Sequence, residues 1–467
     1  MAPAPLSVPA TAPRATAHQR CPDRCQPDAR RWWLALLVPG LLWLGSVRAA
    51  DPAGDPLADR LATHLCLGEP SAAAAPDPPF RDWVAAFAHA ARDCGISTTA
   101  VAALEGVTWQ AQVARLDRNQ PEYNSTFSGY LGRRIGAATL RQGQALRATH
   151  AALLANLEAR YGVPAEILLA LWAMESGFGA NIGTTPILDA LATLAYEGRR
   201  RDLYRRELLA ALRILERGEA TTLIGSWAGA MGQVQFMPST FLAYAVDGSG
   251  DGRRDIWRSV PDALASAAHY LHRLGWQRDA PWLLEVELPA DFDPYPAELD
   301  LPIASADWIA AGVRLAGGAP LPGQPAQAAM VLPAGMQGPA FLVYDNFHVL
   351  LEWNRSLFFG LAAGQLAREL AGGPALVGSQ PASEQPLRRA EVMALQQALN
   401  QLGFAAGPVD GMVGLGTRRA LRAWQACHGL RADAWPTLAL ITRIHAQVPA
   451  ATPAAAGIEQ SAALPPR

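Results

Sequence analysis

One carboxylate stands out for the chemistry it could do. Glu175 ends the apolar run Leu168-Leu169-Ala170-Leu171-Trp172-Ala173-Met174, and Ser176-Gly177-Phe178-Gly179 follows it. A charge in such a place is costly unless it is paired or spends much of its time protonated. A carboxyl group with a raised pKa can donate a proton near neutral pH, so Glu175 is the candidate general acid.

A second run, Gly225-Ser226-Trp227-Ala228-Gly229-Ala230-Met231-Gly232-Gln233-Val234-Gln235-Phe236-Met237-Pro238-Ser239, holds three glycines and two glutamines. Backbone there is expected to pass close to something. Ser and Gln can hydrogen-bond a neutral, hydroxyl-rich ligand without adding charge. The alternative is a tightly packed turn between helices.

A third run, Asp247-Gly248-Ser249-Gly250-Asp251-Gly252-Arg253-Arg254-Asp255-Ile256, sets oxygen ligands at positions one, three and five, with a glycine sixth and Arg253 seventh. That is the opening of an EF-hand calcium loop. Position twelve, where a bidentate Glu belongs, is Arg258.

These runs need elements to position them. Helical spacing begins at Phe80 with Trp83, Phe87 and Ala91, and predicts one long helix over 136–161. Pro164 suits the first turn of the next helix, which ends at Glu175. Further helices are expected over 186–196, 202–216, 262–274 and 346–371. The single clear strand is 282–288, and the Gly/Pro/Ala-rich stretch 315–340 reads as loops.

Lys plus Arg is 39 against 41 for Asp plus Glu, a balance that excludes a nucleic-acid partner. Arg30-Arg31, an apolar stretch Trp32–Val47 and small residues at 49–50 have the layout of an export signal. The stretch is short for a membrane span of about 20 residues, which leaves an uncleaved inner-membrane anchor as the alternative. Cys66 and Cys94 are candidates to pair after export, and Cys427 is left over. Asn124-Ser125-Thr126 fits a glycosylation acceptor by pattern alone.

Taken together, the motifs resemble the lytic murein transglycosylases of the membrane-bound B type (glycoside hydrolase family 103), over residues 78–372. The residues that carry the resemblance are Asp117-Arg118-Asn119-Gln120-Pro121-Glu122, the Glu175–Gly179 turn and 187–194. Ala228–Gly232 with Gln235–Ser239, and Asn346-Phe347 before Trp353-Asn354-Arg355-Ser356, complete the set. The resemblance implies a lysozyme-like, α-rich (α+β) catalytic domain. It also implies cleavage of the β-1,4 bond between N-acetylmuramic acid and N-acetylglucosamine in peptidoglycan, leaving 1,6-anhydro-muramyl ends. Glu175 would then act first as acid and next as base, which explains why no second carboxylate is evident near it.

By the same resemblance Ser226 holds the glutamate, while Gln235, Asn354 and Trp353 line the sugar cleft. Two positions depart from the family pattern, Trp353 and Phe359 standing where tyrosines are usual. Stacking on a sugar would survive there and a phenol hydrogen bond would not. The arginines at 199–201 and 205–206 could meet muramyl lactate or peptide carboxylates, but a solvated helix face is the preferred account. The family's longer loop implies Asp262 as a further ligand beside Asp247, Ser249, Asp251 and Arg253, for a structural calcium. Ser259-Val260-Pro261-Asp262 also reads as a helix cap that would occupy Asp262 without metal. No cofactor is expected for catalysis.

Residues 387–446 resemble the small three-helix peptidoglycan-binding domain. They carry Leu395-Gln396, Leu402-Gly403-Phe404, Asp410-Gly411, a Thr417 expected to cap the second helix, and Trp424-Gln425. The expected organisation is an export signal over 1–49, a lead-in over 50–77, the catalytic domain over 78–372 and a linker over 373–386. The wall-binding domain follows over 387–446, with a disordered tail over 447–467. The expected protein is a periplasmic monomer acting on glycan strands, with wall-synthesis proteins as candidate partners. A hydrolytic muramidase and a non-catalytic wall-binding scaffold are the alternatives.

Overall fold

The structure, a computed structural model, describes residues 78–119, 125–323, 325, 327–378, 381 and 384–449. The expected export segment, Cys66, Asn124 and most of the tail lie outside the described residues. Among those described, no helix is long and apolar enough to cross a membrane. Cys94 is disulfide-bonded, and Cys427 is in no disulfide. The described residues fall into two compact units, 78–386 and 387–449.

The larger unit is built around the helix Ala165–Ser176. Its sequence is apolar on every side, so it has no polar face to turn to water and takes the centre. Ile167, Leu168, Leu169, Ala170 and Leu171 are fully buried. Each large aliphatic side chain contributes about 1.5–3 kcal/mol by leaving water. The helices Ala137–Thr149, Ala151–Tyr161, Val260–Arg273 and Leu357–Leu370 pack around it. Only Ala173 and Glu175 near its C-terminal end are partly open after Pro164, so burial itself carries the candidate acid to a rim.

Two expected long helices are each broken in two. The 136–161 stretch divides at His150, between Ala137–Thr149 and Ala151–Tyr161. The 346–371 stretch divides at 354–356 into Asp345–Trp353 and Leu357–Leu370, where Ser356 caps the second helix by accepting from the Phe359 N–H. Pro164 stands one residue before the central helix as its N-cap.

The expectation of loops over 315–340 is corrected. Gln327–Val331 and Ala340–Val343 are strands of a five-stranded antiparallel sheet. Its order is Ile303–Ala304, Gln327–Val331, Ala340–Val343, Leu283–Glu287, Arg314–Leu315. The central strands are covered on both faces, so their residues form continuous apolar runs and the two-residue alternation that marks a half-buried strand is lost. The segment after 372 is held rather than free. Glu285, 2 % exposed, accepts the N–H groups of Val377 and Gly378 at 3.0 and 2.7 Å. Glu384 accepts the Phe127 N–H at 2.8 Å, at the start of the helix Phe127–Arg134.

The smaller unit has three helices, Arg389–Gln401, Leu415–Cys427 and Leu438–His445, around Leu395, Leu399, Leu421, Trp424 and Ile444. Thr417 is not the cap of the second helix. It is 2 % exposed inside the first turn, where its hydroxyl accepts from the buried Gln396 amide at 3.0 Å. The same amide takes the Gly411 N–H at 2.9 Å, fixing the Asp410-Gly411 turn.

Candidate active site

The end of the central helix is closed by backbone geometry that only part of the sequence announces. Gly177 is left-handed at φ 58°, and the Phe178 N–H reaches back to the Trp172 carbonyl at 3.1 Å. Phe178 itself sits at φ 59°, and Gln235 in the facing loop at φ 50°. For residues with a side chain this costs on the order of 1–3 kcal/mol each, a strain that persists where the surroundings enforce it. Trp172 packs edge-on against Phe178 at 5.6 Å.

The glycine-rich loop folds back on itself. Thr185–Pro186 pairs with Ile224–Gly225, and bridges follow at Gly225↔Met231 and Met231↔Phe236. A Cβ on Gly225 would lie 2.1 Å from the Ala230 carbonyl oxygen, so a side chain is excluded there. At Gly225 the close approach is therefore of backbone to backbone, whereas Gly229 packs on the Leu191 side chain.

Ser176 and Gln233, missed as site residues, lock this loop to the helix. The Ser176 hydroxyl, 1 % exposed, donates to the Gln233 carbonyl at 2.6 Å and accepts from the Gly179 N–H at 2.9 Å. The Gln233 side chain accepts from the Trp172 indole N–H at 3.0 Å. Ser176→Ala strands one buried carbonyl and one N–H, so a loss of about 1–3 kcal/mol is expected. Chemical denaturation of the variant against the parent measures it.

Glu175 is half-buried, and its Oε1 accepts from the Trp353 indole N–H at 2.8 Å. The substitution that costs a phenol at this position thus supplies another donor. Phe359 is 4 % exposed, a core residue. Around Trp353 stand Phe236 at 5.6 Å and Tyr270 at 5.4 Å, with Tyr244 a further 4.5 Å from Tyr270. Sequence reading missed Tyr244 and Tyr270; a tyrosine on an otherwise buried helix face is the one signal they give.

The remaining predicted residues are bonded locally. Ser226 Oγ accepts from the Ala230 N–H at 3.1 Å. The Gln235 amide donates to the Ile182 and Gly232 carbonyls at 3.2 and 2.8 Å, leaving its oxygen to accept. Asn354 Oδ1 accepts from the Ser356 N–H at 3.1 Å, leaving its NH2 to donate. A cavity of 280 Å³ borders the helix end, and Glu175 is the one carboxylate among its lining residues. Arg199 pairs with the buried Asp117 at 3.7 Å, and Arg205 with Asp202 at 3.7 Å on the surface.

In the acidic loop, carboxylate oxygens of Asp247, Asp251 and Asp262 lie within 4.8 Å of one another. Asp262 is fully buried. Its Oδ1 accepts from the Gly248 and Ser249 N–H groups at 3.0 and 2.8 Å, and its Oδ2 from Asp255 at 2.8 Å. Ser259 caps the following helix by accepting the Asp262 backbone N–H at 3.3 Å, so the cap uses the backbone of Asp262 and not its carboxylate. Asp247 accepts from Gly250 at 2.6 Å and Gly252 at 2.7 Å, and these bonds, led by Gly252, hold its carboxyl below the usual range. Ser249 donates to Asp247 at 3.2 Å, and the Arg253 N–H to Asp251 at 2.8 Å. Each carboxylate oxygen has two lone pairs, so Asp247 Oδ2, Asp262 Oδ2 and both oxygens of Asp251 retain capacity. The donor set fits a hard cation.

Residues 79–368 match the profile of the "Transglycosylase SLT domain", and 388–443 that of the "Putative peptidoglycan binding domain". The chain is 34% identical over 214 residues to the "Membrane-bound lytic murein transglycosylase B" of Escherichia coli (strain K12), covering 45% of this chain and 58% of that protein's length. It superposes on SltB3 from Pseudomonas aeruginosa in complex with NAG-anhNAM-pentapeptide with a TM-score of 0.75 at 44% identity, over 78% of this chain and 99% of that one. The Escherichia coli lytic transglycosylase Slt35 in complex with calcium is similar at a TM-score of 0.54 and 28% identity, over 64% and 94% of the two chains.

Proposed function

The chain belongs to the transglycosylase SLT family, and from that premise we propose that it is an exported, periplasmic lytic transglycosylase of peptidoglycan. The observation that carries this reading is the solitary Glu175 at the rim of a lysozyme-like helical domain, in a cavity with no other carboxylate among its lining residues. Its protonated carboxyl donates to the glycosidic oxygen as the bond to muramyl C1 breaks. Its carboxylate then takes the proton of the muramyl 6-hydroxyl as that oxygen bonds to C1. The 1,6-anhydro ring closes, no water is consumed, and Glu175 returns to its starting state. A two-carboxylate hydrolase would need a second acid for its nucleophile or its water. Mass analysis of sugars released from purified wall tests the reading: anhydro-muramyl ends support it, and reducing ends would make the protein a muramidase.

Trp353 orients the Glu175 carboxylate and, with Tyr270 and Tyr244, offers sugar rings an aromatic wall. Ser226 keeps its hydroxyl proton to steady the carboxylate. Gln235 accepts from sugar hydroxyls and Asn354 donates to them. A charge-assisted hydrogen bond is worth about 1.5–3 kcal/mol. Trp353→Phe is accordingly expected to lower kcat at least tenfold, with a smaller effect on KM, in steady-state release of anhydro ends. Equal kcat would remove Trp353 from the orienting role.

The C-terminal module tethers the enzyme to glycan strands and raises their local concentration, as linked binding units do. Wall-synthesis proteins remain candidate partners, and the enzyme acts as a monomer. Asp247, Asp251 and Asp262, with Ser249 and Arg253 in the same loop, would hold a structural calcium, whose charge would neutralise the clustered carboxylates. Slt35 in complex with calcium supports that reading. Catalysis itself needs no cofactor.

A further inference from the structure

The helix Phe127–Arg134 has eight residues, too few to stand alone, since isolated helices shorter than about 12–15 residues are marginal in water. Buried Phe127 and Leu131 anchor one face of it, with the Phe127 ring 6.0 Å from Phe341 and 5.3 Å from Phe358. Its two ends are held by charged groups. We propose that Glu384, at the N-terminal end, is a positioning residue for Glu175, acting through this helix and through Arg134 at the other end. The proposal rests on the reading of Glu175 as the acid and adds a residue that steadies it from a distance.

The N-terminal end comes first. The Thr126 hydroxyl accepts from the Gly129 N–H at 3.0 Å. The Glu384 carboxylate accepts from the Phe127 N–H at 2.8 Å, from the Ser128 N–H at 3.3 Å, and from the Ser128 hydroxyl. The opening N–H groups of a helix have no partner within it, and here Phe127, Ser128 and Gly129 all find one. The carboxylate also lies where the helix dipole favours negative charge. Glu384 is half-buried and arrives on a segment already tied down, because Glu285 holds Val377 and Gly378.

The other end meets the central helix. Arg134 Nη1 donates to the Met174 carbonyl at 3.3 Å, and Met174 directly precedes Glu175. In a continuing helix that carbonyl would accept from the Phe178 N–H, four residues on. The left-handed turn at Gly177 sends that N–H to the Trp172 carbonyl instead, at 3.1 Å. Arg134 supplies the missing donor, and it sets a cation at the negative end of the central helix. Tyr130 steadies the guanidinium, whose carbon lies 5.5 Å from the ring centroid, and is itself 6.1 Å from Phe358.

The two ends work in series. A guanidinium on a short helix that frays at its start cannot fix the peptide before Glu175, and one on a clamped helix can. A single carboxyl that must meet two oxygens in turn depends on that precision, because small misplacements of a reacting group are costly. Glu384 stands just before Leu387, where the smaller unit begins. The segment joining the units is thus also a working part of the catalytic unit.

The test uses the full-length protein and soluble glycan strands of one length, at a temperature where circular dichroism shows every variant folded. Glu384→Ala is expected to lower kcat for release of anhydro ends about tenfold, with KM within about twofold of wild type. Glu384→Gln keeps an acceptor oxygen for one N–H and is expected to recover part of the loss. Arg134→Ala is expected to lower kcat as well. The double variant should fall no further than the weaker single, because residues that act through one another are not additive. Wild-type kcat in Glu384→Ala, or a loss confined to KM, overturns the proposal. So does a double variant whose loss is the product of the two single losses, the result for a helix end that matters to packing alone. A wild type that leaves no anhydro ends instead overturns the reading of Glu175, and this proposal with it.

Discussion

Glu175→Gln is expected to remove release of anhydro-muramyl sugars from purified wall, with kcat lowered by on the order of 10²–10⁴ for each proton-transfer role lost. The same carboxyl serves in both the bond-breaking and the ring-closing step, so the loss should lie at or beyond the upper end of that range. The amide keeps an oxygen for the Trp353 indole N–H, which reaches Oε1 at 2.8 Å. It also removes a charge from a half-buried position. The variant should therefore melt no lower than the parent. That pairing, an inactive enzyme with an intact fold, separates a chemical role from a packing role. Activity within a few-fold of wild type would refute Glu175 as the acid. A low activity with a matching fall in melting temperature would mean that the residue matters for structure instead.

How Glu175 is presented was legible in part. An unbroken apolar run followed by Ser-Gly predicts a buried helix that ends in a left-handed glycine, and Ala165–Ser176 is that helix. The acid's surroundings were not legible. Trp353 is 178 positions away in sequence, and its bond to Glu175 depends on a helix break at 354–356 that periodicity does not mark. Ser176 looked like a turn residue, yet its hydroxyl ties the helix to the loop carrying Gln233. The sheet was obscured for a different reason. Ala-Phe-Leu-Val at 340–343 is buried at every position, so the strand shows no alternation and its Gly/Pro-rich flanks dominate the composition. Sequence period reports one-sided burial, and fails where an element is enclosed on both faces. Local signals also do not say which of two acceptors a polar group takes. Ser259 and Asp262 both suggested a cap, and only their arrangement in space divides the work between hydroxyl and carboxylate.

That division makes Asp262 the position of largest expected effect on stability. Its buried carboxylate satisfies the N–H groups of Gly248, Ser249 and Asp255, which span both ends of the acidic loop. Asp262→Ala strands all three. Each unmet buried donor costs about 1–3 kcal/mol, and partial access to water for an outer loop reduces the sum, so about 3–5 kcal/mol is expected. Asp262→Asn keeps one acceptor oxygen for Gly248 and Ser249 but turns an NH2 or a second strained contact toward Asp255, and should lose less. A calcium ion held there, as proposed above, would add a separable contribution. Asp247 has its carboxyl lowered by backbone donors, so the stability it lends is present above the unfolded carboxylate pKa and fades as pH falls through the lower, folded value. An ion shared with Asp251 and Asp262 would extend that dependence, since metal binding requires the same deprotonated groups. A chelator at neutral pH is then expected to lower the melting temperature of the parent and to leave Asp262→Ala, already without the site, unmoved. A chelator without effect on the parent would assign the whole contribution of Asp262 to its three backbone bonds. The loop would then be held by protein donors alone.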